Sequence, residues 1–187
     1  NVFQLTQATN GQAGSVWNNI MINLNQPFSF DVDVFLGCNG GGADGIAFVL
    51  QPVSTSLGST GGGIGYQSIS PSFAVEFDTW LNSQYSDPWY NHAAIQKNGN
   101  LNHTGPSNLA GPVGFPPTGF SSIEDCQWHK AIFNWDPATT NFTLDFDGVQ
   151  ILNYTGDIVN TIFNGNPNVY WGFTGSTGGA NNLQRFR

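Results

Sequence analysis

Positive charge is scarce in this sequence. Its 187 residues include four basic and twelve acidic side chains, which gives a formal net charge of −8 at pH 7. A surface of this sign repels the phosphates of nucleic acids and of anionic membranes, so we expect no nucleic-acid partner. No apolar run approaches the roughly 20 residues that a helix needs to cross a bilayer. We therefore expect no membrane insertion either.

Cysteine is nearly absent as well. Cys38 and Cys126 cannot by themselves form a four-ligand structural zinc site, and neither belongs to a Cys-x-x-Cys pair that would favour redox catalysis. A disulfide between them fits an exported protein; two buried thiols are the alternative, because the sequence does not give their separation. The chain opens at Asn1 without a methionine or a charged leader. We interpret it as a segment of a larger secreted or cell-surface protein.

Long helical patterns are also missing. The chain has 24 glycines, 10 prolines and only 9% charged residues, a composition typical of strands and turns. Turns separate short segments that alternate in polarity or run apolar, namely residues 27–36, 45–50, 73–79, 127–135, 142–146, 149–152 and 169–173. Asp147-Gly148 predicts a hairpin, and residues 104–119 a long surface connection. The pattern favours one all-β domain over residues 1–187, an antiparallel sandwich with functional loops.

Residues 73–92 carry the most chemistry. Alternate side chains of a strand share a face, so Glu76 and Asp78 are predicted to point away from the core together. Two carboxylates about 6–7 Å apart on one face repel each other unless a positive charge lies between them. Asn82, Asp87 and His92 follow in predicted loop positions, where they can complete a cage around an ion.

These ligands fit two kinds of metal ion. Ca²⁺ prefers hard oxygens, which are available from Asp78, Asn82, Asp87 and the backbone carbonyl of Trp80. An added imidazole favours a transition ion such as Mn²⁺ or Zn²⁺, with the set Glu76, Asp78, Asp87 and His92. The alternative is a solvated strand face beside an unrelated histidine. An EF-hand is disfavoured, because the segment lacks flanking helices and the glycine and glutamate of that loop.

The same segment resembles the metal-binding strand and loop of the legume, or L-type, lectins in the pattern Glu76-x-Asp78-x-Trp80-x-Asn82-x4-Asp87-Pro88-x3-His92. Further similar segments lie at residues 42–48, 61–65, 127–129 and 172–178. The resemblance extends from Phe3 to Phe186. It implies a jelly-roll sandwich of the concanavalin A-like kind, with a flat back sheet and a curved front sheet. It also implies Ca²⁺ and a transition metal as cofactors, with Mn²⁺ the expected second ion.

The resemblance further implies a shallow sugar site between loops. Asp44 would accept hydrogen bonds from two sugar hydroxyls, Asn82 would donate to one of them, and Gly63 would offer its backbone N–H. Trp80 would lie against the apolar face of the sugar, and Gly179 would line the site from the last loop. The peptide bond that precedes Asp44 is expected to be cis.

Two features depart from the plant members of this family. The last loop, residues 175–182, is shorter, which weakens the transfer of a role onto Gly179 and blurs the monosaccharide preference. The pair of Cys38 and Cys126 is not a plant-lectin feature and points to a microbial relative.

The functional expectation is calcium-dependent glycan binding at the cell surface or outside the cell, without catalysis. Mannose- or glucose-type glycans are slightly favoured over galactose-type ones, and the oligomeric state is left open. The main alternative is a glycoside hydrolase of the same fold, but Leu81 stands where its second catalytic glutamate would fall. The other alternative is a structural sandwich module of an adhesin, which the intact Asp44, Gly63 and Asn82 argue against.

Overall fold

The computed structural model describes all of residues 1–187. One helical turn, α1, spans Ile158–Thr161, and short 3-10 turns lie at Gly61–Gly63 and Ser83–Tyr85. The strands are β1 (Phe3–Thr6), β2 (Ala13–Trp17), β3 (Ile22–Asn23), β4 (Phe28–Phe35), β5 (Gly45–Gln51), β6 (Phe73–Asp78), β7 (His92–Lys97), β8 (Asn108–Gly114), β9 (His129–Asp136), β10 (Asn141–Phe146), β11 (Val149–Thr155), β12 (Asn168–Ser176) and β13 (Gln184–Phe186). No helix has the length and apolar character needed to cross a bilayer.

Two antiparallel sheets form the molecule. One has six strands in the order β1-β13-β4-β9-β10-β11. The other has the order β2-β12-β5-β6-β7-β8, with β3 paired to β12 as its seventh strand. The predicted all-β antiparallel sandwich is therefore confirmed. Its central strands β4, β5, β6, β9, β10 and β12 lie where the alternating or apolar segments of the sequence predict them.

The main core of 27 residues includes Phe73, Val75 and Phe77, as the alternation along β6 predicts. A second, smaller apolar cluster covers the opposite face of the seven-stranded sheet. It joins Ala47, Val49 and Ala74 of the sheet to residues of the covering loops, namely Ile64, Tyr66, Ile69 and Leu101. Because both faces of β6 are covered, all six of its residues are buried. Polar side chains on this strand are consequently held away from bulk water.

The prediction of a continuous surface connection over residues 104–119 is wrong. Residues Asn108–Gly114 form β8, which pairs with β7 at the edge of the seven-stranded sheet. Its pairing has two register shifts, and it contains Gly111 at a φ of 82° and the cis bond Gly111-Pro112. Proline is tolerated in a sheet at such an edge, where the strand has one free side. The sequence pattern did not identify this strand, because its glycines and proline are typical of turns.

A disulfide joins Cys38 to Cys126, as predicted from the presence of only two cysteines. The bridge spans 88 residues of sequence. It lies at the base of the loop before β5, where the backbone N–H of Cys126 donates to Gly37 O at 2.9 Å.

Removing this bridge is expected to lower the free energy of unfolding by about 4–5 kcal/mol, the loop-closure entropy of a cross-link of this length. Guanidinium denaturation of the double variant Cys38→Ser/Cys126→Ser would measure the loss. Dithiothreitol should destabilise the original protein by a similar amount and leave the double variant unchanged. An unfolding midpoint that is the same in both proteins would contradict the prediction.

Candidate metal centre and adjoining loops

Strands β6 and β7 bring together the first ligating groups. Their antiparallel register places Asp78 directly opposite His92, and Glu76 lies two residues earlier on the same face of β6. The sequence placed His92 in a loop, which is wrong, because it is the first residue of β7. Glu76, Asp78 and His92 are 0%, 1% and 1% exposed. The alternative of a solvated strand face is therefore excluded.

The loop between β6 and β7 supplies two further side chains. Asp78 Oδ1 accepts a hydrogen bond from Trp80 N at 2.8 Å, and Asp87 Oδ2 accepts one from Asn82 N at 2.6 Å. Each carboxylate thus uses one oxygen to fix the loop. The other oxygens, Asp78 Oδ2 and Asp87 Oδ1, are buried without a hydrogen-bond partner, and so is Asn82 Oδ1. Buried oxygens are normally paired, so this convergence of acceptors calls for a cation.

Two residues that the sequence did not single out complete this cluster. Tyr66, fully buried in the covering loop, donates its hydroxyl to Glu76 Oε2. His103, in the turn between β7 and β8, lies with Nε2 at 2.9 Å from Glu76 Oε1 and Nδ1 at 3.4 Å from Asp87 Oδ1. Only three histidines occur in the chain, which is a signal that could have drawn attention to His103. Nothing in the spacing of Tyr66 identifies it.

The buried charges of the cluster alter one another's pKa. Burial raises the pKa of Asp78 well above its usual range, and the neighbouring charges of Glu76 and Asp87 raise it further. Burial lowers the pKa of His103, but the adjacent carboxylates of Asp87 and Glu76 outweigh it and raise the pKa to about 10. Burial also lowers the pKa of His92. Without an ion, the site therefore retains protons to offset its buried negative charge.

A second loop brings Asp44 to the edge of this centre. The Ala43-Asp44 peptide bond is cis, as the lectin resemblance implies. Asp44 N donates to Ser176 O at 2.9 Å, and Asp44 O accepts from Thr79 N at 3.1 Å. Since Thr79 follows Asp78, this bond ties the Asp44 loop to the ligating strand. Asp44 Oδ2 is buried and unpartnered, and burial raises the pKa of this carboxyl group to about 6.

Glycine-rich loops approach the same place from two sides. A Cβ atom added to Gly62 would lie 2.7 Å from Asn82 Oδ1, and one added to Gly178 would lie 3.2 Å from Asp44 Oδ2. The close approaches are thus made by Gly62 and Gly178, each one residue before the glycines that the sequence singled out. Gly63 packs on Gln67 instead, and Gly179 has no atom within 4 Å of an added Cβ.

Trp80 is the aromatic side chain next to these loops. It is 39% exposed, so part of its ring faces solvent, while its backbone N–H is held by Asp78. One end of the seven-stranded sheet therefore brings together the Asp44 loop, the carboxylates of Asp78 and Asp87, the amide of Asn82 and the ring of Trp80. The donor set fits the two kinds of ion predicted from the sequence, with mutually close ligand atoms in the groups Glu76, His92, His103 and Asp78, Asp87, His92.

A family model described as "Legume lectin beta-barrel domain" matches residues 1–187, the whole chain. The chain belongs to the L-type lectin family. Lectins bind carbohydrate without catalysing its conversion, so membership supports the prediction that this chain is not an enzyme.

Solved lectin structures share the fold of this L-type lectin. Metal-free lectin I-B4 from Griffonia simplicifolia has a TM-score of 0.76 and 22% identity, covering 99% of this chain and 84% of that one. Winged bean acidic lectin complexed with methyl-α-D-galactose has a TM-score of 0.74 and 21% identity, covering 99% and 83%. The VIP36 exoplasmic/lumenal domain, bound to Ca²⁺ and Man3GlcNAc, has a TM-score of 0.74 and 16% identity, covering 98% and 74%. At these identities the likeness shows the shared fold.

Curated relatives are matched over part of their length. Pesticidal crystal protein Cry22Aa of Bacillus thuringiensis is 31% identical over 136 residues, which is 71% of this L-type lectin and 18% of that protein. Lectin-4 of Griffonia simplicifolia is 44% identical over 64 residues, 30% of this chain and 26% of that protein. The matched region therefore spans between about a fifth and a quarter of these two relatives.

Proposed function

We propose that this L-type lectin binds glycans at the loops around Asp44, in a site organised by Ca²⁺ and a transition ion, and performs no catalysis. The observation that carries the proposal is the convergence of buried, unpartnered oxygens on Asp44, Asp78, Asn82 and Asp87. Such oxygens are costly to bury unless a cation or a ligand pairs with them.

The Ca²⁺ site uses the hard oxygens of the loop after β6. Asp78, Asn82 and Asp87 would each supply a side-chain oxygen, and Trp80 its backbone carbonyl. The bonds from Trp80 N and Asn82 N to the two carboxylates already fold this loop toward the site. Ca²⁺ bound there would hold Asn82 in position to meet a sugar hydroxyl. The second site uses Glu76 and His92 together with the shared carboxylates of Asp78 and Asp87, with Mn²⁺ as the ion that the family resemblance suggests.

The sugar site uses Asp44 as a charged acceptor for two hydroxyls and the ring of Trp80 as a partner for an apolar sugar face. We keep Gly63 and Gly179 as proposed contacts, and add Gly62 and Gly178 because their backbones lie nearest to Asn82 and Asp44. The similar structures named above include complexes with a galactoside and with a mannose-containing glycan. They do not support the expected preference for mannose- or glucose-type sugars.

The two alternatives receive less support. A hydrolase would need a second free carboxyl group beside Glu76, but position 81 is a leucine that is 53% exposed. The remaining glutamate, Glu124, accepts a hydrogen bond from Asn182 Nδ2 at 2.7 Å and is buried. A purely structural module would not require Asp44 to keep a buried, unpaired oxygen beside the ion site.

The disulfide and the lectin relatives support a place outside the cell or at its surface. The single lectin domain over residues 1–187 is proposed to be a segment of a larger protein.

Glycan-array binding in the presence and absence of EDTA tests the proposed function. We expect selective binding with Ca²⁺ and a transition ion, no binding after chelation, and no shortening of the bound glycans. Binding that persists in EDTA would contradict the metal-organised site. Reducing ends released from an oligosaccharide would contradict the assignment as a non-catalytic lectin.

A further inference from the structure

The ring nitrogens of His92 and His103 meet at one point of the buried cluster. His92 Nε2 lies 3.1 Å from His103 Nε2, and Glu76 Oε1 lies 2.9 Å from His103 Nε2. Glu76 Oε1 has no hydrogen-bond partner despite this short distance. Three polar atoms are thus close together without a pattern of hydrogen bonds that satisfies all of them.

The other nitrogen of each ring faces acceptors. His92 Nδ1 lies 3.2 Å from Tyr90 O, so it carries the proton of a neutral ring. His103 Nδ1 lies 3.4 Å from both Tyr85 O and Asp87 Oδ1, which also places the ring proton there. In the neutral rings both Nε2 atoms then present lone pairs, together with Glu76 Oε1. Metal-ligating histidines typically donate their other ring N–H to a carbonyl or carboxylate in this way.

The distances also match the edges of a coordination shell. With metal–nitrogen bonds of about 2.0–2.1 Å, adjacent ligands are about 2.9 Å apart around a six-coordinate ion and about 3.4 Å apart around a tetrahedral one. The separations of 2.9 and 3.1 Å at His103 Nε2 fall in this range. His103 is also 7% exposed, so little water competes for its nitrogen.

We propose that His103 is a direct ligand of the transition ion, which gives this ion two imidazole ligands and strengthens the preference of the site for Zn²⁺ over Mn²⁺. The proposal rests on the metal centre of the proposed function and replaces the ion that the family resemblance suggests. Imidazole suits Zn²⁺, whereas sites rich in carboxylates and water suit Mn²⁺. Replacing an oxygen donor by His103 therefore shifts the selectivity toward Zn²⁺.

X-ray absorption at the zinc edge of the reconstituted protein tests this directly, because scattering from imidazole rings gives the number of histidine ligands. We expect two in the original protein and one in His103→Ala. Titration calorimetry with each ion should show Zn²⁺ affinity falling at least 10–100-fold in His103→Ala, with a smaller loss for Mn²⁺. His129→Ala is the control, since both His129 nitrogens face carboxylates elsewhere, at 2.8 Å from Asp147 and 3.1 Å from Asp125.

The measurements distinguish a failure of the His103 proposal from a failure of the proposed metal centre. One imidazole per zinc in the original protein, or equal Zn²⁺ affinity in His103→Ala, would overturn the role of His103 and leave the metal centre standing. Failure of the original protein to bind either ion would refute the metal centre itself. The zinc spectrum of the original protein decides the ligand count even if the variant does not fold, which its circular dichroism melting curve reports.

Discussion

Removal of both ions with EDTA is expected to abolish glycan binding and to lower the melting temperature by about 10 °C. Leaving buried charge uncompensated costs about 3–5 kcal/mol, and each kcal/mol shifts the melting temperature of a domain this size by about 2–4 °C. The side chains of Glu76 and Asp87 are fully buried, so water cannot replace the ions there. Differential scanning calorimetry before and after chelation measures the shift.

The EDTA-induced change in melting temperature should also depend on pH. The pKa of His103 rises to about 10 in the ion-free fold, so its contribution to stability is complete below about 6.5 and is lost as the pH rises toward 10. Burial raises the pKa of Asp78, which makes the ion-free fold lose stability with rising pH as well. The EDTA-induced shift should therefore be larger at pH 8 than at pH 6. Restoring Ca²⁺ and a transition ion should reverse it, and an unchanged melting temperature would contradict the buried two-ion site.

Asp44→Asn is expected to weaken glycan binding by about 100-fold or more. The substitution keeps the shape of the side chain but removes the charge that would accept two sugar hydroxyls, and hydrogen bonds to charged groups contribute about 1.5–3 kcal/mol each. Glycan titration by calorimetry measures the loss. Asn82→Ala provides the contrast, because it should weaken both glycan and Ca²⁺, whereas Asp44→Asn should retain Ca²⁺.

The same variant should be more stable than the original protein. Burial raises the pKa of Asp44 to about 6 from its ordinary value of 3.8, so keeping this carboxylate ionised destabilises the ion-free fold above about pH 6. Asp44→Asn in EDTA should therefore melt at a higher temperature at pH 8, with the gain shrinking as the pH falls toward 4. As for glycan binding, an affinity of Asp44→Asn equal to that of the original protein would show that the sugar site lies elsewhere.

The sequence predicts the parts of the fold that depend on local pattern. Alternation around Phe77 identifies β6 and the common face of Glu76 and Asp78, and Asp147-Gly148 marks the hairpin between β10 and β11, where both residues have positive φ, 49° and 81°. These features depend on neighbouring residues alone. The predicted disulfide is likewise confirmed, from the presence of a single pair of cysteines.

Other parts of the fold and of the site depend on contacts between distant segments, so local sequence patterns do not predict them. Strand β8 contains two glycines and a proline, and its place at the sheet edge makes them compatible with pairing. Tyr66 reaches Glu76 because the covering loop folds over the seven-stranded sheet, which no local pattern specifies. His103 approaches His92 from the segment between β7 and β8, which the bond from His103 N to Tyr85 O holds against the loop after β6. The roles of Gly63 and Gly179 at the sugar site stay predictions, and the close approaches of Gly62 and Gly178 follow from the packing of distant loops.

The second apolar cluster has a kinetic consequence. Ile64, Tyr66 and Ile69 lie over the face of β6 that carries Glu76, and the glutamate side chain is completely covered. An ion bound by Glu76, as proposed, would be shielded from solvent on this face, so we expect its departure to require that the covering segment detaches. Local opening of this kind is slow compared with ligand exchange in water, and its frequency depends on the stability of the segment. The apolar contacts of Tyr66 and its neighbours are thus expected to set the residence time of the proposed ion, although they do not themselves bind it.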